Sequence, residues 1–133
     1  MQRHCENGAK IAHFLQAHSG VDKVYWPGFE AHSNHLIAKQ QMRDYGGMLS
    51  FTLKGNNLQD AQSVFRHLKL FSLAESLGGV ESLIGHPATM THSSIPKKDR
   101  EASGIVDSLI RLSVGVEDAE DLIDDLRQAL EIL

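Results

Sequence analysis

The chain has 133 residues, 41% of them apolar and 23% charged, with a net charge of −4 and a pI near 6.0. That composition fits one soluble globular domain with a single modest core. The acidic balance argues against sequence-independent nucleic-acid binding, which needs a cationic patch to displace counterions. Cys5 is the single cysteine, so neither an internal disulfide nor a cysteine zinc site is expected, and a reducing, cytoplasmic setting is the natural one. The opening MQRHCENGAK is polar, which speaks against a secretory leader, and no apolar run approaches the roughly 20 residues of a membrane span.

In chain order, residues 3–18 read as a helix in which Cys5, Ala9 and Ala12 recur on one face, widened by Ile11, Phe14 and Leu15 and stopped by Gly20. VDKVYWPG reads as a short strand with Val24 and Trp26 on one side, closed by a Pro27-Gly28 turn. Residues 34–43 form a second short helix, broken by Gly46-Gly47. MLSFTLKG then alternates Met48, Ser50 and Thr52 against Leu49, Phe51 and Leu53, a strand with two usable faces. NNLQDAQSVFRHL predicts a helix capped at Asn56 or Asn57 and buried through Leu58, Ala61, Phe65 and Leu68.

LFSLAES predicts a further strand, and residues 82–90 either a partner strand or an extended arm. SSIPKKDREASG reads as an exposed turn or short helix with Pro96 at its start. LIRLSVG is a clear strand. Residues 117–133 are a clear helix, with a stripe of Ala119, Leu122, Ile123, Leu126, Ala129, Leu130 and Leu133 and with acids in the first turn, where they favour the helix dipole. Strands alternate with helices, so the expected fold is α/β or α+β: a small sheet with helices packed on one face. The pattern leaves strand order open, and the second face of the sheet needs a partner or a polar surface.

The chemistry-bearing residues are few. His32-x-x-His35 has a metal-like spacing but no third ligand, so no metal is expected. His86 and His92 flank Pro87, where packing or bonding to backbone is expected over acid–base work. Cys5 reads as a buried helix residue, and the acid run Glu117–Asp125 as a helix start with a solvated face. Gly78-Gly79 follows a strand but lacks the rest of a phosphate loop. Arg111 differs from all of these. It stands in the apolar strand Leu109-Ile110-Arg111-Leu112, where a guanidinium calls for a carboxylate, either on a ligand or on Glu75 or Glu81. No GxSxG, HExxH or Ser-x-x-Lys pattern is present, and no lysine from Lys10 to Lys98 is placed to form a Schiff base. The residues suit binding and lack the parts to react.

AESLGGVESLIGHPATMTHSSI followed by GIVDSLIRLSVGVEDAEDLIDDLRQAL closely resembles the C-terminal end of the Cys/Met-metabolism enzymes that use pyridoxal phosphate (PLP), the family of cystathionine γ-synthase, cystathionine γ-lyase and methionine γ-lyase. MQRHCENGAKIAHFL, VDKVYWPG and YGGMLSFTLKG resemble the segments where that family's large domain gives way to its small one. The resemblance implies that residues 1–133 are a C-terminal substrate-binding domain of a fold-type I PLP enzyme, a mostly antiparallel sheet with helices on one side, and that residues 1–20 are the helix leading in from the large domain. It implies that the Schiff-base lysine and the cofactor belong to that large domain, so PLP is not expected on this piece and the isolated chain is expected to be inactive.

The resemblance also implies roles by matched position. Arg111 would grip the substrate α-carboxylate. Ser76 and Leu77 would lie at the substrate and lysine end of the cofactor, with Ser76 touching it indirectly. Glu75 would select for the distal ammonium of cystathionine, and Thr91 would lie near the same mouth. Glu before Ser-Leu-Gly matches the γ-synthase and γ-lyase branches; β-lyases typically carry an aromatic residue there and Trp after the Ser, and methionine γ-lyases differ at the following glycines. The implied partners are small amino acids (cystathionine, activated homoserine, cysteine), and the implied full-length enzyme is a homo-oligomer. Beside this reading stand two others: a stand-alone, non-catalytic module binding an amino acid or protein partner, and a fragment with no activity of its own.

Overall fold

A computed structural model describes residues 1–133. The elements are α1 (Gln2–Ala17), β1 (Val21–Tyr25), α2 (His35–Gln41), β2 (Met48–Leu53), α3 (Leu58–His67), β3 (Ser72–Leu73), β4 (Leu83–Gly85), α4 (Lys97–Ala102), β5 (Leu109–Ser113) and α5 (Ala119–Leu130). One sheet has the order β1-β2-β5-β4-β3. Every pairing is antiparallel except β3 with β4. The expected mixed architecture is therefore present, and the central position belongs to β5. No helix is long and apolar enough to cross a membrane.

The two-residue period of β2 and β5 separates the faces of the sheet. Leu49, Phe51, Leu53, Ile110 and Leu112 point into one core with Ile11 and Leu15 of α1, Ala61 and Val64 of α3, and Leu122, Leu126 and Leu130 of α5. Those three α5 leucines are at most 1% exposed, and each contributes about 1.5–3 kcal/mol by leaving water. Asp118 caps α5 by accepting from the N–H groups of Glu120 and Asp121. Asn57, of the two candidates, caps α3 through the N–H of Asp60 at 2.8 Å. Asn56 instead adopts a positive φ of 43° and accepts from the N–H and hydroxyl of Ser108.

Several expectations need correction. The buried face of α1 is Asn7, Gly8, Ile11, Ala12 and Leu15, leaving Cys5 and Ala9 only half-buried. The helix rotates this way because Gly8 lies against the backbone of Gly46 and Gly47, where a Cβ would come within 2.6 Å of a carbonyl oxygen. In α3 the buried residues are Ala61 and Val64, with Leu58, Phe65 and Leu68 at the margin. The last helix stops at Leu130, so Leu133 is outside its stripe and 48% exposed. The strand expected over 70–76 is reduced to Ser72–Leu73.

The acid run is not simply a solvated face. Asp125 is buried, and its carboxylate accepts from the N–H groups of Lys69, Leu70 and Phe71. Glu117 accepts from the N–H of Ser82 at 2.7 Å and from its hydroxyl at 2.9 Å. These two acids fix the chain on either side of residues 72–81.

Candidate functional site

The second face of the sheet carries the polar residues. Antiparallel register places Ser50 of β2 and Gly85 of β4 on either side of Arg111. Gly85 makes room there: a Cβ at that position would lie 3.3 Å from Arg111 Nη2 and 3.2 Å from the carbonyl oxygen of Ala74. The guanidinium crosses the glycine, and Nη2 donates to the carbonyl oxygens of Glu75 at 3.2 Å and Ser76 at 3.0 Å. Arg111 has no carboxylate partner in the chain, so the internal pair with Glu75 or Glu81 is not formed. Its Nε and Nη1 donate to no protein group, which leaves three N–H donors of a fixed cation for an incoming anion.

Around the guanidinium is a shallow depression lined by Ala74, Glu75, Gly85, His86, Pro87, Met90, Thr91 and Arg111. Three of the expected site residues, Glu75, Thr91 and Arg111, thus meet in one place. Ser76 contributes its carbonyl and not its hydroxyl, and Leu77 points largely to solvent at 55% exposure. The Thr91 hydroxyl lies 2.7 Å from Nδ1 of His92. Larger cavities, of about 650 Å³ beside the start of α1 and about 320 Å³ along β1, hold none of the expected site residues.

His86 is a buried side chain in the lining of the depression around Arg111. Its Nε2 lies 2.8 Å from the Asp107 carbonyl oxygen, which can only accept, so Nε2 carries the proton and Nδ1 accepts from the Thr89 hydroxyl at 2.8 Å. Burial is the main cause holding its pKa below the usual 6.5, against the opposing pull of the Asp107 carbonyl and carboxylate, and the Arg100 cation lowers it further. The ring is therefore a neutral brace bonded to backbone, as expected. Asp107 in turn is held below 3.8 by hydrogen bonds from Lys97 and Arg100. His32 and His35 do not converge: Nδ1 of His32 accepts from the N–H of Asn34, whereas His35 donates to the carbonyl of Pro27. No group of three or more His, Cys, Asp or Glu side chains is arranged to hold a metal.

A sequence profile for Cys/Met metabolism PLP-dependent enzymes matches residues 1–131. The chain belongs to this family. L-methionine γ-lyase of Fusobacterium nucleatum subsp. polymorphum is 53% identical over 98% of this chain and 33% of its own length. Cystathionine γ-lyase of Sus scrofa is 56% identical, over 98% of this chain and 32% of its own. Cystathionine β-lyases are also among the family relatives, at 54% and 56% identity. The crystal structure of cystathionine γ-synthase from Xanthomonas oryzae pv. oryzae, in complex with aminoacrylate and cysteine, superposes with a TM-score of 0.92 at 46% identity, covering 98% of this chain and 34% of that one. The chain spans about one third of the length of the family members it matches.

PLP, the family's cofactor, is an aldehyde phosphate that calls for an amine and an anion-binding loop. No lysine lines the depression around Arg111. The free donors there suit one carboxylate, and this depression lacks the amine that PLP calls for.

Proposed function

We propose that this chain is the C-terminal, substrate-binding part of a PLP-dependent transsulfuration enzyme of the cystathionine γ-synthase or γ-lyase type. In this reading Arg111 holds the α-carboxylate of the amino-acid substrate. The observation that carries it is the state of the guanidinium: clamped by two backbone carbonyls, unpaired with any acid, and half-buried in the lining of a depression that Glu75 and Thr91 also line. A bidentate arginine is the side chain best matched to a carboxylate, and one already held in place spends little entropy on binding.

Glu75 supplies a negative group for the distal ammonium of cystathionine, and Thr91 a hydroxyl at the same mouth. The carbonyl of Ser76 orients Arg111, while Leu77 presents an apolar side chain from the exposed loop between them. Family relatives that include β-lyases and a methionine γ-lyase share this third of the fold, so the choice of the γ-synthase or γ-lyase branch rests on Glu75 followed by Ser-Leu-Gly-Gly. Cystathionine, activated homoserine and cysteine are the proposed substrates, and a homo-oligomer the proposed full-length assembly.

The test is release of product with added PLP: 2-oxobutanoate from cystathionine for a γ-lyase, or cystathionine from activated homoserine and cysteine for a γ-synthase. Full-length protein is expected to release it and the isolated chain is not. Release by the isolated chain would overturn its assignment as a binding part. If the isolated chain binds cystathionine by calorimetry with no cofactor, and full-length protein releases no product, the stand-alone binding module replaces the enzyme.

A further inference from the structure

We propose that Ser113 is a positioning residue for the amino-acid site: its hydroxyl sets the loop whose carbonyls aim Arg111. The proposal rests on the reading of Arg111 as the carboxylate holder. Arg111 and Ser113 are two apart on β5 and therefore project from the same face of the sheet. Ser113 is buried, and its Oγ accepts from the N–H of Gly78 at 2.8 Å. Arg111 grips the same loop two residues upstream, through the carbonyls of Glu75 and Ser76.

These bonds are the whole of the loop's polar anchoring. Residues 75–79 make no backbone–backbone hydrogen bond; the ladder resumes only at Ala74, which donates to Ile84, and at Val80, which accepts from Val116. Residues 75–78 are exposed. Gly78 has a φ of 78°, a conformation costly for other residues, which turns its N–H toward the strand. With Ser113 in place, the carbonyls of Glu75 and Ser76 are fixed acceptors and the guanidinium has one orientation. Without it, Arg111 is the loop's only remaining anchor, and the arginine and the loop are free to move together. A cation in a movable frame binds a carboxylate less well, because the ordering cost then falls on binding.

The experiment uses the full-length protein with Ser113→Ala, Ser113→Thr and Arg111→Ala. Ser113→Ala is expected to speed hydrogen exchange at the Gly78 amide and to raise KM for the amino-acid substrate roughly fivefold to tenfold, the worth of one such hydrogen bond, with a smaller change in kcat. Ser113→Thr keeps the hydroxyl and is expected to restore both values. If Ser113→Ala fails to fold, Ser113→Cys, nearly isosteric and a poor acceptor, takes its place with the same expectation. Unchanged exchange at Gly78, or faster exchange with an unchanged KM, overturns the proposal while leaving Arg111 as it stands. An unchanged KM in Arg111→Ala overturns the carboxylate reading, and the role of Ser113 with it.

Discussion

Replacing Asp125 with Ala removes the acceptor of three consecutive backbone N–H groups, those of Lys69, Leu70 and Phe71 at 2.8, 2.8 and 3.1 Å. Lys69 and Leu70 are exposed, so water can take up their N–H groups, and each lost bond costs about 0.5–1.5 kcal/mol. Phe71 is buried at 5% exposure, so its N–H is stranded and costs about 1–3 kcal/mol. Alanine returns about 0.5 kcal/mol as the better helix former within α5. The net expectation is a loss of about 3 kcal/mol, or roughly a 10 °C fall in Tm for a domain of this size. Trp26, the single tryptophan, is buried in the core and reports unfolding in a urea titration by its fluorescence. Asp125→Asn keeps one carbonyl oxygen and is expected to lose about half as much. A loss under about 1 kcal/mol for the alanine variant would show that the carboxylate is no anchor for residues 69–71.

Gly85→Ala places a methyl 3.3 Å from Arg111 Nη2 and 3.2 Å from the Ala74 carbonyl, and is expected to raise the substrate KM of the full-length protein roughly tenfold by displacing the guanidinium, about 1.4 kcal/mol. Glu117→Gln weakens the clamp on Ser82 and is expected to cost about 1–2 kcal/mol in the same urea titration, with no change if water replaces the carboxylate. His86, with its folded pKa lowered, keeps its full contribution above pH 6.5 and loses it as pH falls below that, because the unfolded chain takes up the proton first. Wild type is therefore expected to lose more stability than His86→Gln between pH 6.5 and 5, and parallel profiles would contradict the neutral brace. The contribution of Asp107, with its pKa also lowered, is present above pH 3.8 and is lost as pH falls through its folded value, so Asp107→Asn is expected to flatten only that lower limb.

Much of this arrangement was legible because local periodicity and burial agree. The two-residue alternation of 48–53, the stripe of α5 and the charge inside Leu109–Leu112 each have a direct counterpart in the structure. The failures share a physical cause. The strand expected over 70–76 is not sustained beyond the bond from Ala74 to Ile84, because Glu75, Ser76 and Gly78 bond to side chains of β5 and not to a neighbouring backbone. Gly85 and Ser113 gain their roles only when β4 and β5 pair, so nothing near them in the chain marks them. Asp125 looks like one more acid on a helix; its position on the buried side, at i+3 from Leu122, was the available signal. Arg111 stood out because a cation in an apolar strand calls for a carboxylate, on a ligand or within the chain, but its backbone clamps depend on a loop far off in sequence.

The most direct test of the central claim is saturation kinetics of full-length Arg111→Ala with an amino-acid substrate and with its α-carboxamide. Loss of a charge-assisted pair is expected to raise KM for the acid roughly 30- to 100-fold, about 2–3 kcal/mol, and to leave the amide almost unaffected, so that the preference for the carboxylate disappears. An unchanged KM, or an equal loss for acid and amide, would mean that Arg111 supports the loop over residues 75–76 and holds no substrate carboxylate.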